Sequence, residues 1–197
     1  MTSPYVTTEL STIIGLKPSQ MNNEKNKKIF DNLVKYYEGK CYKNFGIVKK
    51  IYGITHLSPG RLIAENPTGE AVYDVKFKCK LCNPIESKEI ICELDRIIID
   101  ADQLLRLSSG KHILGIVIEI QEDGKFYINR QKRILMYIKK DGTEIEVSEK
   151  TFVKFLVTRK LMYDRGDKIQ LMGFLTDIAT DSEIESYYKD ENDDREI

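Results

Sequence analysis

Apolar and polar residues alternate along most of this chain, and a helical spacing interrupts the alternation near the front. Val6–Ile14 is rich in β-branched residues and predicts a first strand, which Pro18 closes. Ser19 is placed to cap a helix beginning near Gln20. Ile29, Phe30, Leu33, Val34 and Tyr37 then recur in steps of one, three and four, so they share one helical face, with Lys25, Lys27, Lys28 and Lys35 mostly off it. Glu38-Gly39 ends that helix, glycine being the usual residue past a C-terminus. Three strand-like runs follow, at Phe45–Ile54, Arg61–Glu65 and Ala71–Leu81, with Asn66-Pro67-Thr68-Gly69 as a tight turn. The last run alternates most clearly. Val75, Phe77, Cys79 and Leu81 face one side, and Asp74, Lys76, Lys78 and Lys80 the other. Residues 1–84 therefore predict a small α+β unit, one helix on an antiparallel sheet.

The texture changes after Asn83-Pro84, since all five prolines lie at or before position 84. Short strands are predicted at Glu89–Ile99, Ile113–Ile120, Lys125–Asn129, Ile134–Lys139, Thr151–Val157 and Lys168–Ile178. Turns at Glu122-Asp123-Gly124, Lys140-Asp141-Gly142 and Asp164-Arg165-Gly166 separate most of them. That spacing across residues 85–180 predicts a small closed barrel of the OB type. Residues 181–197, acidic and nearly free of aliphatics, are expected to be a disordered tail.

Of the 197 residues, 41% are hydrophobic and 31% charged, enough to bury a core. The 31 basic and 31 acidic side chains cancel, which excludes a globally basic coat. Their distribution is uneven: residues 1–84 carry a net +6, and residues 181–197 a net −6. No apolar run approaches the ~18 residues of a membrane-spanning helix, and the first residues lack the pattern of a secretory signal. An intracellular protein with reduced thiols and no membrane contact is expected, in the nucleus, or in the cytoplasm or a virion if viral.

Chemistry has few candidates. His56 and His112 lie far apart, and no glycine-rich phosphate cradle is present. Glu144, Glu146 and Glu149 read most simply as a solvated face, so no catalytic residue is assigned. Cys79-Lys80-Leu81-Cys82 has a zinc-ligand spacing, with Cys41 and Cys92 available as partners. On a strand, however, a step of three sends the two thiols to opposite faces, so buried thiols and no metal or other cofactor are expected. Lys125, Arg130, Lys132, Arg133, Lys139 and Lys140 are interleaved with Phe126, Tyr127 and Tyr137, the combination that single-stranded RNA binding uses. The period of two makes Phe126 the core residue and Tyr127 the stacking candidate. Lys76, Lys78 and Lys80 form a second basic stripe, open to nucleic acid, to an acidic subunit or to water alone.

The order of several fragments resembles a known family. Ile14-Gly15-Leu16-Lys17-Pro18, then Tyr37-Glu38-Gly39-Lys40-Cys41-Tyr42-Lys43-Asn44-Phe45-Gly46, is similar to the opening of the stalk subunit of multisubunit DNA-directed RNA polymerase. That family comprises the seventh subunit of RNA polymerase II and its archaeal and viral counterparts. Gly60-Arg61-Leu62-Ile63 and Gly69–Lys78 resemble its tip-loop hairpin and following strand, and Asn83–Ile90 stands where the family enters an OB barrel. The resemblance covers residues 10–98. The usual entry segment is altered at Ile85 and Lys88, and such divergence points to a viral member.

The resemblance implies a non-catalytic subunit whose tip domain docks on the polymerase core beside the clamp. The expected contacts are Cys41, Tyr42, Lys43, Asn44, Phe45 and Gly46, with Arg61, Asn66, Pro67, Thr68 and Gly69. It implies the largest polymerase subunits as partners and leaves open a smaller stalk subunit. Nascent RNA would meet the barrel weakly, without sequence preference, through Lys125, Tyr127, Arg130, Lys132, Arg133, Lys139 and Lys140. The alternative is a free-standing OB-fold RNA-binding protein of translation or RNA processing.

Overall fold

The computed structural model describes residues 3–63, 68–99, 104–120, 124–129 and 131–192. The front of the chain forms β1 (Tyr5–Leu16), a 3-10 turn (Pro18–Gln20), α1 (Lys25–Tyr37), β2 (Cys41–Tyr42), β3 (Gly46–Leu57), β4 (Arg61–Leu62) and β5 (Ala71–Cys82). These strands make one antiparallel sheet in the order β1-β5-β3-β2, with β4 pairing β5 beyond the end of β3. The alternation of β5 works as expected on its apolar face: Val75, Phe77, Cys79 and Leu81 are all buried. Helix α1 covers that face with Ile29 and Leu33, and Tyr37 lies over Phe77 with ring centroids 6.2 Å apart. The sheet curls, so Tyr42 on one edge strand donates its hydroxyl to the Ser11 carbonyl on the other.

The helix begins later than the Ser19 cap predicts. Pro18–Gln20 is taken up by the 3-10 turn, and the Gln20 side chain accepts from the Lys17 N–H at 3.1 Å. Its end falls as expected, with Gly39 at φ +74°.

The second half forms β6 (Glu89–Ile98), β7 (Leu104–Ser109), β8 (Ile113–Val117), β9 (Phe126–Asn129), β10 (Ile134–Ile138), β11 (Glu144–Val147), β12 (Phe152–Leu161), β13 (Ile169–Ile178) and α2 (Asp181–Asn192). A closed barrel runs β12-β13-β8-β7-β6, and its one parallel pair is β8 with β13. Numbered within the barrel, the order is 1-2-3-5-4 with strands 3 and 5 parallel, a five-stranded Greek-key barrel of the OB type. The molecule is thus an α+β tip followed by a barrel.

Two predicted strands play a different part. β9 and β10 leave the barrel and form a separate sheet with β11, and β7 takes the vacant barrel position. Leu105 and Leu107 fill the barrel core from β7, while Ile145 and Val147 face inward from β11 between the exposed Glu144 and Glu146.

The expectation of a disordered tail fails for residues 181–192, which are helical. Glu183 caps the helix start from within, its Oε2 accepting from both the Thr180 N–H and the Thr180 hydroxyl at 2.9 Å. Tyr187 is buried against Ile91 and Ala179 and hydrogen-bonded to Ser109, and Lys154 pairs with Glu183 at 2.6 Å. The net charge of the segment hid the spacing Ile184, Tyr187, Tyr188 on one helical face.

Candidate functional site

The segment from Cys41 to Gly46 divides between a seam and a surface. Cys41, Tyr42 and Gly46 are buried, whereas Lys43, Asn44 and Phe45 are exposed, Phe45 by 55%. The Cys41 N–H donates to the Gly166 carbonyl at 2.7 Å, and the Arg165 N–H returns a bond to the Cys41 carbonyl at 3.0 Å. The Lys43 N–H donates to Asp164 Oδ1 at 2.9 Å. Cys41, Ile47 and Cys82 pack into the barrel's own core cluster. Cys41 and Gly46 are therefore part of the joint between tip and barrel and Tyr42 packs in the tip core, so the exposed surface of this segment is Lys43, Asn44 and Phe45. Lys160 reinforces the joint through Asn83 Oδ1 at 2.7 Å and the Pro84 carbonyl at 3.0 Å.

The second expected docking segment lies at the opposite end of β5. Arg61 is exposed and pairs with Asp74 at 3.4 Å. Thr68 and Gly69 are exposed, and Gly69 takes φ +65°; Asn66 and Pro67 lie outside the described residues. Beside them Leu62 is 71% and Ile63 48% exposed, an apolar pair within the Gly60-Arg61-Leu62-Ile63 fragment that carries the family resemblance. The twelve residues of β5 run between the two expected segments, a strand length of at most about 36 Å at ~3.3 Å per residue.

The RNA candidates also separate. β10 runs between two turns, one carrying Lys132 and Arg133, the other Lys139 and Lys140, all exposed. Lys125 joins the second group, its carbonyl accepting from the Ile138 N–H at 2.8 Å; Arg130 lies outside the described residues. Phe126 is buried and packs against Tyr137 with ring centroids 5.0 Å apart and planes tilted by 53°, whereas Tyr127 is on the outer face, opposite Met136. The Tyr127 hydroxyl bonds to Glu144, which raises its pKa. The outer face of this sheet thus carries a tyrosine and two glutamates between two cationic ends.

Lys125 is held by a carboxylate. Lys125 Nζ lies 2.5 Å from Asp177 Oδ2, and Tyr137 donates its hydroxyl to the same carboxylate. Burial works against the Asp177 charge, but these two donors outweigh it and hold the carboxyl below its usual range. Burial and the bond to Asp177 push Tyr137 up to about 12, so it remains a donor.

The lysine stripe of β5 is shorter than its pattern. Lys76 is exposed, but Lys80 is buried with its ammonium 5.3 Å from the centre of the Tyr5 ring, because the barrel closes over that end of the strand. The cysteines divide too: Cys79 packs in the tip core, Cys41, Cys82 and Cys92 in the barrel core. Burial pushes Cys79 up to about 12 and also raises Cys92.

Comparison with known proteins follows the same order along the chain. Residues 11–67 match the SHS2 domain found in the N terminus of Rpb7p/Rpc25p/MJ0397. Over 189 residues the chain is 27% identical to a protein of Acanthamoeba polyphaga mimivirus named as a DNA-directed RNA polymerase subunit, covering 96% of this chain and 90% of that protein. Both similarities support an Rpb7-like RNA polymerase subunit, and they bear out the resemblance carried by residues 10–98.

Proposed function

We propose that this Rpb7-like chain is the non-catalytic stalk subunit of a viral DNA-directed RNA polymerase, seated beside the clamp by the far end of its tip sheet. The observation that carries the docking surface is the exposed pair Leu62 and Ile63, next to Gly69 in its left-handed turn. Apolar side chains held out at a loop end bury well against a partner, and a fixed turn lowers the entropic cost of ordering them. Of the Cys41–Gly46 segment, Lys43, Asn44 and Phe45 remain available as contacts. The largest polymerase subunits are the partners, and a smaller stalk subunit can join them. The barrel would project outward and meet emerging RNA through Lys132, Arg133, Lys139 and Lys140, weakly and by phosphate contacts. Docking restricts the clamp only insofar as this subunit binds the closed state more tightly than the open one.

The test is purification of the tagged chain from its native cell or virion at moderate salt, with mass spectrometry of what accompanies it. The two large polymerase subunits should be recovered in near-equal amounts. Leu62→Asp should cut that recovery at least tenfold, because burying an unpaired carboxylate costs more than the ~1.4 kcal/mol that a factor of ten represents. A Leu62→Asp chain that still brings the polymerase refutes this docking surface. RNA and ribosomal or processing proteins without polymerase would favour the free-standing barrel protein, a reading that the OB-type barrel topology itself supports.

A further inference from the structure

Strand β8 and the residue after it read Ile113-Leu114-Gly115-Ile116-Val117-Ile118, six apolar residues in a row, and the barrel core uses only half of them. Ile113 and Val117 point into the core with Ile169, Leu171 and Leu175 of β13. Alternation therefore turns Leu114, Ile116 and Ile118 outward, together with Met172 and Phe174 of β13. Strands that are apolar on both faces belong where both faces are covered.

Strand pairing sets these outward residues side by side. Ile116 stands opposite Met172, and the Ile118 N–H donates to the Gly173 carbonyl at 3.0 Å, which places Ile118 beside Phe174. Leu156 of β12 stands opposite Phe174, so the apolar wall spans three strands. Ile118 is 54% exposed, and Leu114, Ile116, Met172, Phe174 and Leu156 are half-buried. Cations flank this wall. Arg106 of β7 is opposite Ile116 and Arg159 of β12 is opposite Met172, so Arg106, Ile116, Met172 and Arg159 form one row across four strands. Both guanidiniums are exposed, and neither has an ion pair among the described residues. Three strand spacings separate the two, about 14 Å at ~4.8 Å each.

The same barrel shows how such a wall is covered. Ile91 and Phe152, outward on β6 and β12, meet Ile184, Tyr187 and Tyr188 of α2. Lys154, directly opposite Ile91, pairs with Glu183 of that helix at 2.6 Å. The chain's own cover for an apolar face beside a cation is thus an amphipathic helix with an acidic flank.

We propose that the wall of β8, β13 and β12 seats a second such helix, supplied by another polypeptide, with apolar residues at helical spacing and a carboxylate on each flank for Arg106 and Arg159. The inference rests on the chain being one subunit of a larger assembly. A closed barrel offers no open strand edge here, so the partner docks by side chains. A helix about 10 Å across fits between the guanidiniums, and the ~13 Å from Leu114 to Ile118 takes roughly nine helical residues at ~1.5 Å each. A second copy of this chain packed wall to wall would set arginines against arginines. RNA bases would find one half-buried phenylalanine on an otherwise aliphatic wall, which is a poor stacking platform.

The test uses the full chain, free and within the assembly recovered by its tag. Ile118→Cys puts an accessible thiol on the wall, since the four native cysteines are buried. Alkylation of that thiol should slow at least tenfold in the assembly. A crosslinker on it should reach one segment of another protein of the assembly, with apolar and acidic residues at helical spacing. Arg106→Glu combined with Arg159→Glu should lose that crosslink at least tenfold and still bring the large polymerase subunits, whereas Arg106→Lys with Arg159→Lys should keep both. Both side chains are exposed, so melting of the free chain should not move. Equal alkylation rates in the two states, with polymerase subunits present, overturn the inference and leave the docking surface at Leu62 standing. So do crosslinks only to RNA or to a second copy, and crosslinks that survive the charge reversal. Recovery of the chain without polymerase subunits removes the assembly reading and this inference together.

Discussion

Replacing Gly46 by alanine should open the joint between tip and barrel. Gly46 takes φ +138°, and a Cβ there would lie 2.3 Å from the Cys82 carbonyl oxygen and 3.1 Å from Asn83 Cβ. The first contact is about 0.7 Å inside the 3.0 Å that real Cβ atoms respect, and the atom met is backbone in the fully buried Cys82. A backbone conformation reserved for glycine costs about 1–3 kcal/mol, and forcing extra volume into packed structure about 1–3 more. Roughly 4 kcal/mol corresponds to a fall in Tm of about 8–16 °C for a chain of this size. Two controls separate the terms. Gly142→Ala has φ +81° and nothing within 4 Å, so it should lose only about 1 kcal/mol. Gly53→Ala has ordinary φ and open space, so it should be neutral or slightly stabilising. Calorimetry gives the three shifts, and hydrogen exchange locates them: the Cys41 and Arg165 amides, which bridge the joint, should lose protection in Gly46→Ala alone. Melting of Gly46→Ala no lower than Gly142→Ala would refute the steric argument. A large loss of stability without faster exchange at Cys41 and Arg165 would refute its location.

Other expectations follow from the same geometry. Charge reversal of Lys139 and Lys140, or of Lys132 and Arg133, should weaken RNA binding across sequences and flatten its salt dependence by about 0.7 per lost phosphate contact, as a titration with single-stranded RNA would show; an unchanged slope for both pairs removes the hairpin ends as the site. Asp177 has a lowered pKa when folded, so its contribution is present above the ordinary carboxylate value near ~3.9 and disappears as pH falls through the lowered one. Denaturant titrations of wild type and Asp177→Asn should accordingly converge in acid and diverge above pH ~4, and a constant gap would contradict the assignment. Cys79, pushed up to about 12, holds about 10⁻⁴ of its thiol as thiolate at pH 8, so alkylation should wait for unfolding. Rapid labelling of the native chain at Cys79 would show that its site is open.

Local pattern alone determined the faces of individual elements. The period of two in Ala71–Cys82 named Val75, Phe77, Cys79 and Leu81 as core, and the 3.6-residue stripe of α1 named Ile29 and Leu33, because alternation and helical spacing are set by backbone geometry within one element. Phe126 and Tyr127 were sorted inward and outward by the same rule. The family resemblance was legible as well, since it rests on the order of short fragments. Signals for α2 and β11 existed, in the Thr180–Glu183 spacing and in Ile145 and Val147, but charge density outweighed them. What pattern does not contain is the partner of each element. Whether β7 or β9 enters the barrel depends on pairings between segments far apart in sequence, and so does the separation of the two expected docking segments to opposite ends of β5. Cys41 became joinery because residues 164–166, more than a hundred positions later, fold back to bond it. Lys80 was buried by a barrel that its own strand does not encode. The apolar outer wall of β8 and β13 is likewise a property of the finished barrel: two strands share a face only once each has found its place.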